Sequence, residues 1–111
     1  MNALKAATDA TFDTLTTSGP AVVEFSSPTC APCKQIEPVL EKMAVEFTGQ
    51  VRFLKINVNE SPKSCARFRI RSVPTLLFMK GGTVSAQLVG AVAAPLIRER
   101  VMELLGRSAN R

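Results

Sequence analysis

Short apolar runs in this chain alternate between strand-like and helix-like spacing, and that alternation limits the possible folds more than any other feature. Ala21 to Ser26 is a brief apolar stretch of the kind that forms a buried strand. Lys34 to Phe47 then sets Ile36, Val39, Leu40, Met43, Ala44 and Phe47 on one stripe at helical spacing, with Gly49 marking its end. Pro38 inside that helix lacks an amide donor, which predicts a bend. Val51 to Val58 reads as a strand, Ser61-Pro62 opens a short helix to Phe68, and Thr75 to Met79 is a further strand. Gly81-Gly82 joins it to Thr83–Val89, a connection short enough to predict an antiparallel hairpin. Upstream, Thr8 to Thr17 predicts a short helix capped by Thr8 or Asp9, with Phe12 and Leu15 as its apolar pair. Downstream, Ala94-Pro95 opens a helix from Leu96 to Leu105 that gathers Ile97, Val101, Leu104 and Leu105 on one face and stops at Gly106. The order helix, strand, helix, strand, helix, strand, strand, helix predicts an α/β chain whose mixed sheet is covered by helices on both faces.

A chain of 111 residues with 46% hydrophobic content can fill one ordinary core, so a single domain over residues 1–111 is expected. Three cysteines are too few for the disulfide framework of a small secreted scaffold. Met1 to Thr17 contains Asp9 and Asp13 and no apolar run suited to a signal peptide. No stretch approaches the roughly 20 apolar residues of a membrane helix. These features predict a soluble, cytoplasmic, monomeric protein without membrane association, and a reducing compartment makes any disulfide transient and catalytic. The net charge of +5 is scattered apart from Arg67, Arg69 and Arg71, and Trp and Tyr are absent. Nucleic acid is therefore not an expected partner. The three arginines alternate with Phe68 and Ile70, which reads as apolar side in and charge out, or else as a basic patch for acidic partners.

Chemistry concentrates at Pro28-Thr29-Cys30-Ala31-Pro32-Cys33, between the first strand and the long helix. Cys30 falls at a helix N-terminus, where unpaired N–H groups and the helix dipole favour a thiolate. Cys33 lies about one turn on, so its sulfur can attack a mixed disulfide formed at Cys30. Pro32 presets the first helical turn and removes a donor that the turn can spare. The competing readings are two packed small residues or half of a zinc site. The chain has no histidine and Cys65 is its only other cysteine, so no metal is expected. Cys65 itself reads as a packed small residue, with a regulatory thiol as the alternative. Glu24 sits among Val22, Val23 and Phe25, which predicts a central strand and a desolvated carboxyl with a raised pKa.

Over nearly its whole length the chain resembles the thioredoxin family. The resemblance is carried by Val22 to Phe25, Cys30-Ala31-Pro32-Cys33-Lys34, Pro38, Leu54 to Asn59, Arg71 to Thr75, Leu76 to Phe78, Gly81-Gly82 and Val89-Gly90. It implies the thioredoxin fold, a mixed five-stranded central sheet flanked by four helices, with a cis Val73–Pro74 peptide. It further implies a thiol–disulfide oxidoreductase that reduces protein disulfides through a redox-active Cys30–Cys33 disulfide. In that scheme Glu24 exchanges a proton with Cys33 and Lys55 tunes Glu24. Thr29, Ala31, Val73, Pro74, Thr75, Gly90 and Ala91 border the groove for an extended client, whose strand pairs with the backbone of Val73. No cofactor is bound; electrons come from an NADPH-dependent flavoprotein, a thioredoxin-reductase-like partner, and go to disulfide-containing clients. The potential implied is nearer the roughly −270 mV of thioredoxins than the about −200 to −230 mV of glutaredoxins.

Departures from the family pattern cluster at the cysteines. Thr29 and Ser26 occupy positions where Trp is usual, Ala31 stands for Gly, and Glu24 stands for Asp. They motivate two alternatives: a specialised oxidant or isomerase, and a binding module that uses the Pro74 groove with incidental redox chemistry.

Overall fold

The computed structural model describes residues 3–107. Its centre is a five-stranded sheet built from β1 (Leu4–Ala7), β2 (Pro20–Ser26), β3 (Arg52–Asn57), β4 (Thr75–Lys80) and β5 (Thr83–Val89). The spatial order is β1-β3-β2-β4-β5; β3 runs parallel to β1 and β2, whereas β4 is antiparallel to β2 and β5. Around it lie α1 (Phe12–Thr17), α2 (Ala31–Glu46), α3 (Pro62–Arg67) and α4 (Ala94–Leu104), with a single 3₁₀ turn at Val58–Glu60.

The central strands bury both faces, and side-chain alternation divides the core in two. On one face Val22, Phe53, Leu76 and Phe78 pack under Ile36, Leu40 and Met43 of α2 and Ile97, Val101 and Leu104 of α4. On the other, Val23, Phe25, Leu54, Ile56, Leu77 and Met79 surround Phe12 of α1, with Phe68 and Ile70 packed against them. Burying each such side chain contributes roughly 1.5–3 kcal/mol, so α2 and α4 are held mainly by their apolar stripes. The surface pair of Arg98 with Glu46 that also joins these helices is half exposed and adds little.

The alternating arginines follow the apolar-in reading, with Arg67, Arg69 and Arg71 exposed and Phe68 and Ile70 half-buried. Arg67 ends α3, Phe68 caps it, and Arg69 takes a left-handed φ of 54°. Arg67 pairs with Asp13 at 2.6 Å and lies over the Phe68 ring at 4.8 Å.

Three expectations shift. β1 is a strand that the residues alone do not announce: Leu-Lys-Ala-Ala has no β-branched side chain, and its pairing with β3 overrides a weak local preference. Residues 8–11 form a turn instead of the first turn of α1, since the Thr8 and Thr11 backbone N–H groups each donate to the other's hydroxyl, at 2.9 and 3.3 Å. Asp9 is then free to accept the N–H groups of Lys63 and Ser64, at 3.1 and 2.9 Å, and so caps α3 rather than α1. Finally, α2 begins at Ala31, one turn earlier than its apolar stripe suggests.

Sheet register places the chemistry. Ser26 ends β2 beside Asn57 of β3, and Phe25 pairs with Thr75 of β4. The loop to Cys30 and the Val73–Pro74 segment therefore leave the same end of the sheet.

Candidate active site

Cys30 is the N-cap residue of α2, in extended conformation, with Ala31 and Pro32 as the first helical residues. Pro32 has no N–H to satisfy, so the free donor of this turn nearest the sulfur is that of Cys33. That N–H donates to Cys30 Sγ at 3.1 Å. A donor aimed at sulfur, reinforced by the helix dipole, stabilises negative charge there when the thiol is reduced. In the structure Cys30 and Cys33 are joined by a disulfide with their Cα atoms 5.2 Å apart. Cys33 is wholly buried and Cys30 nearly so, while Thr29, Ala31 and Pro32 around them are exposed.

Beneath the disulfide lies Glu24. It is completely buried, and neither of its carboxyl oxygens has a hydrogen-bond partner among the described residues. Val22 and Leu76 share its face of the sheet, so the carboxyl stands in apolar surroundings. Burial, followed by the nearby carboxyl of Glu37, pushes its pKa up to about 9, against a smaller opposing effect of Lys55. The acid holds its proton at neutral pH.

Glu37 escaped the sequence reading. Polar atoms of Glu24, Cys33 and Glu37 lie within 4.8 Å of one another. Glu37 accepts from Ser26 Oγ at 3.0 Å and from Lys55 Nζ at 3.3 Å. Burial acts to raise its pKa, but Glu24, Ser26 and Lys55 outweigh that and hold it below the ordinary value. A signal was available: Glu37 follows Cys33 by four residues, which puts both on one helix face. Lys55 is adjacent to Glu24 in register, yet its ammonium pairs with Glu37.

The Val73–Pro74 peptide is cis. Pro74 and Thr75 are buried, Val73 is half-buried, and the Thr75 hydroxyl donates to the Ser72 carbonyl at 2.7 Å. Gly90 N–H donates to the Pro74 carbonyl at 2.9 Å, which draws Gly90 and the exposed Ala91 to the same end of the sheet. Gly90 has φ of 93°, a left-handed value that side chains resist. Cys65 stands apart from this cluster, a partly buried free thiol whose pKa is raised by burial and by Asp9. Among the described residues no helix is long and apolar enough to cross a membrane.

Comparison of the sequence with known proteins points to one family. Residues 3–103 match the thioredoxin family, described as Thioredoxin. The chain is 40% identical over 86 residues to Thioredoxin M4, chloroplastic, of Arabidopsis thaliana, covering 78% of this chain and 45% of that protein. It is 34% identical over 103 residues to Thioredoxin M-type, chloroplastic, of Pisum sativum, covering 91% and 60%. With Thioredoxin of Haemophilus influenzae it shares 43% identity over 86 residues, 76% of this chain and 80% of that one. The chain thus spans about half the length of the plant relatives and four-fifths of the bacterial one. With a mixed five-stranded sheet, four helices, a Cys-x-x-Cys disulfide at the start of α2 and this match over residues 3–103, the chain belongs to the thioredoxin family.

Proposed function

We propose that the protein is a thiol–disulfide oxidoreductase that reduces protein disulfides, acting as one domain over residues 1–111. The observation that carries this reading is the Cys30–Cys33 disulfide at the N-terminus of α2, directly above a buried, proton-bearing Glu24. In the reduced protein Cys30 thiolate attacks one sulfur of a client disulfide, forming a mixed disulfide and expelling the client's other sulfur as thiolate. Once Glu24 has released its own proton, its carboxylate takes the proton of Cys33, which attacks Cys30 Sγ and releases the client's second sulfur as thiolate. Two electrons pass to the client and the Cys30–Cys33 bond closes. The disulfide form then carries the transferred proton on Glu24, in keeping with the raised pKa of that residue. Pro32 fixes the turn between the sulfurs, and Lys55 acts on Glu24 through its neighbourhood.

Thr29, Ala31, Val73, Pro74, Thr75, Gly90 and Ala91 form the client groove in this reading, an extended client segment pairing with the Val73 backbone. A flavoprotein reductase that uses NADPH returns the dithiol, and a reducing compartment such as the cytoplasm keeps it available. The exposed Thr29 and Ala31, in place of Trp and Gly, favour a narrower set of clients than the family norm.

The test is a redox titration in defined dithiothreitol buffers, with free thiols trapped by a mass tag and mapped. A two-electron transition confined to Cys30 and Cys33, with Cys65 tagged throughout, is expected. Cys33→Ser should accumulate mixed disulfides with a disulfide-containing protein such as insulin, and Cys30→Ser should form none. A protein without a reversible Cys30–Cys33 transition is not a reductase, and the binding-module reading replaces it.

A further inference from the structure

The buried acid is one of two. Glu24 has no contact with solvent and no hydrogen-bond partner among the described residues, and Ser26 on its own strand opposes its burial only weakly. The titratable and charged groups that face it are Cys33 and Glu37 from α2 and Lys55 from β3; β4 supplies Leu76. Of these, Glu37 alone is a carboxyl both close to Glu24 and open to water. Its side chain is 19% exposed and forms part of the wall of a pocket of about 270 Å³, with Lys34, Lys55 and Asn57.

Two carboxylates this close, one of them fully buried, disfavour simultaneous ionisation, because burial of Glu24 weakens the screening of their repulsion. Which one stays charged is decided by partners. Glu37 accepts hydrogen bonds from the Ser26 hydroxyl and the Lys55 ammonium, whereas on Glu24 those two groups exert only weaker effects that burial outweighs. We propose that Glu24 and Glu37 form a carboxyl pair sharing one proton, in which Glu37 is the solvent-side member that keeps the negative charge and thereby holds the proton on Glu24.

Glu37 is then a positioning residue. It touches no client, but it governs when Glu24 is free to take the proton of Cys33. The inference rests on the proposed reductase reading for its role in turnover, though the pair itself is present in the disulfide form without any client. The opposite pKa directions of the two residues accord with one shared proton.

The experiment is a ¹³C NMR titration of the glutamate carboxyls in the intact disulfide protein. Wild type is expected to show Glu24 titrating near 9 and Glu37 at acid pH. Glu37→Gln should lower the Glu24 midpoint by at least about one pH unit, a tenfold loss of proton affinity, and Glu37→Asp should restore part of it. The inflection in the pH–rate profile for resolving a trapped mixed disulfide should move down with that midpoint. Lys55→Met, which leaves both carboxyls in place, should raise the Glu37 midpoint. An unmoved Glu24 midpoint in Glu37→Gln overturns the pair, as does an unmoved Glu37 midpoint in Lys55→Met should Glu37→Gln fail to fold. A normal redox titration with unmoved midpoints sinks only the pair; shifted midpoints with no redox transition sink only the reductase.

Discussion

Replacing Glu24 by Leu should make the protein more stable, and the gain should depend on pH in a way only a buried acid produces. Leucine is comparable in bulk, though shorter and branched, and carries no charge, and the Glu24 carboxyl oxygens have no hydrogen-bond partner among the described residues. The carboxyl titrates at about 9 in the folded chain against an ordinary 4.5. Between those values the unfolded chain has released the proton that the folded chain still holds, so stability falls as pH rises. Glu24 costs nothing by ionisation below pH 4.5, and its effect levels off once pH exceeds 9. At pH 7 the gap from 4.5, taken at about 1.4 kcal/mol per pH unit, comes to about 3 kcal/mol. Burial of an unpaired polar group adds to that at every pH. For a chain of this size about 3 kcal/mol corresponds to a rise in Tm of roughly 12 °C. The assay is urea unfolding followed by far-UV circular dichroism from pH 4 to 9, because a chain without Trp or Tyr gives no useful fluorescence. The difference between Glu24→Leu and wild type should widen with pH up to about 9. A difference that stays flat between pH 5 and 8 would refute the argument, since it would mean Glu24 ionises normally in the folded protein.

Other perturbations test the frame around the site. Leu40→Ala removes a fully buried side chain between α2 and the sheet and should cost about 2–5 kcal/mol in the same urea assay. Gly82→Ala places a Cβ 3.1 Å from Thr17 Cγ2 at a residue with φ of 83°, so it should lose roughly 1 kcal/mol or more; an unchanged midpoint would mean the hairpin turn relaxes freely. Asp9→Ala removes the acceptor for two N–H groups at the start of α3 and should lower the urea midpoint and speed amide exchange at Lys63 and Ser64.

Local residue patterns announced the elements whose two signals agree. The stripe of α2 and the Gly81-Gly82 hairpin carry period and punctuation together, and both lie where the pattern places them. β1 does not, because four residues with no β-branched member become a strand only through a partner more than forty residues away. Asp9 was misassigned for a related reason: its position suits a cap for α1, but the three-dimensional fold brings the N-terminus of α3 to it instead. Cys30, Cys33 and Glu24 were legible since each depends on position within one strand or at one helix start.

Glu37 marks the boundary of what a chain of letters reveals. Between Ile36 and Pro38 it looks like an ordinary polar residue of an amphipathic helix. Its meaning comes from three elements at once: α2 carries it one turn beyond Cys33, β2 brings Ser26 and Glu24 under it, and β3 supplies Lys55. Aspartate at position 24, one methylene shorter, would hold its carboxyl farther along the same vector from the backbone of α2. The longer Glu24 side chain and the acidic residue at 37 therefore belong to one arrangement. A Glu24→Asp variant should separate the two carboxyls, weaken their repulsion and bring the titration of residue 24 down from about 9. If instead the midpoint stays or rises, burial alone sets the acidity and Glu37 is a bystander.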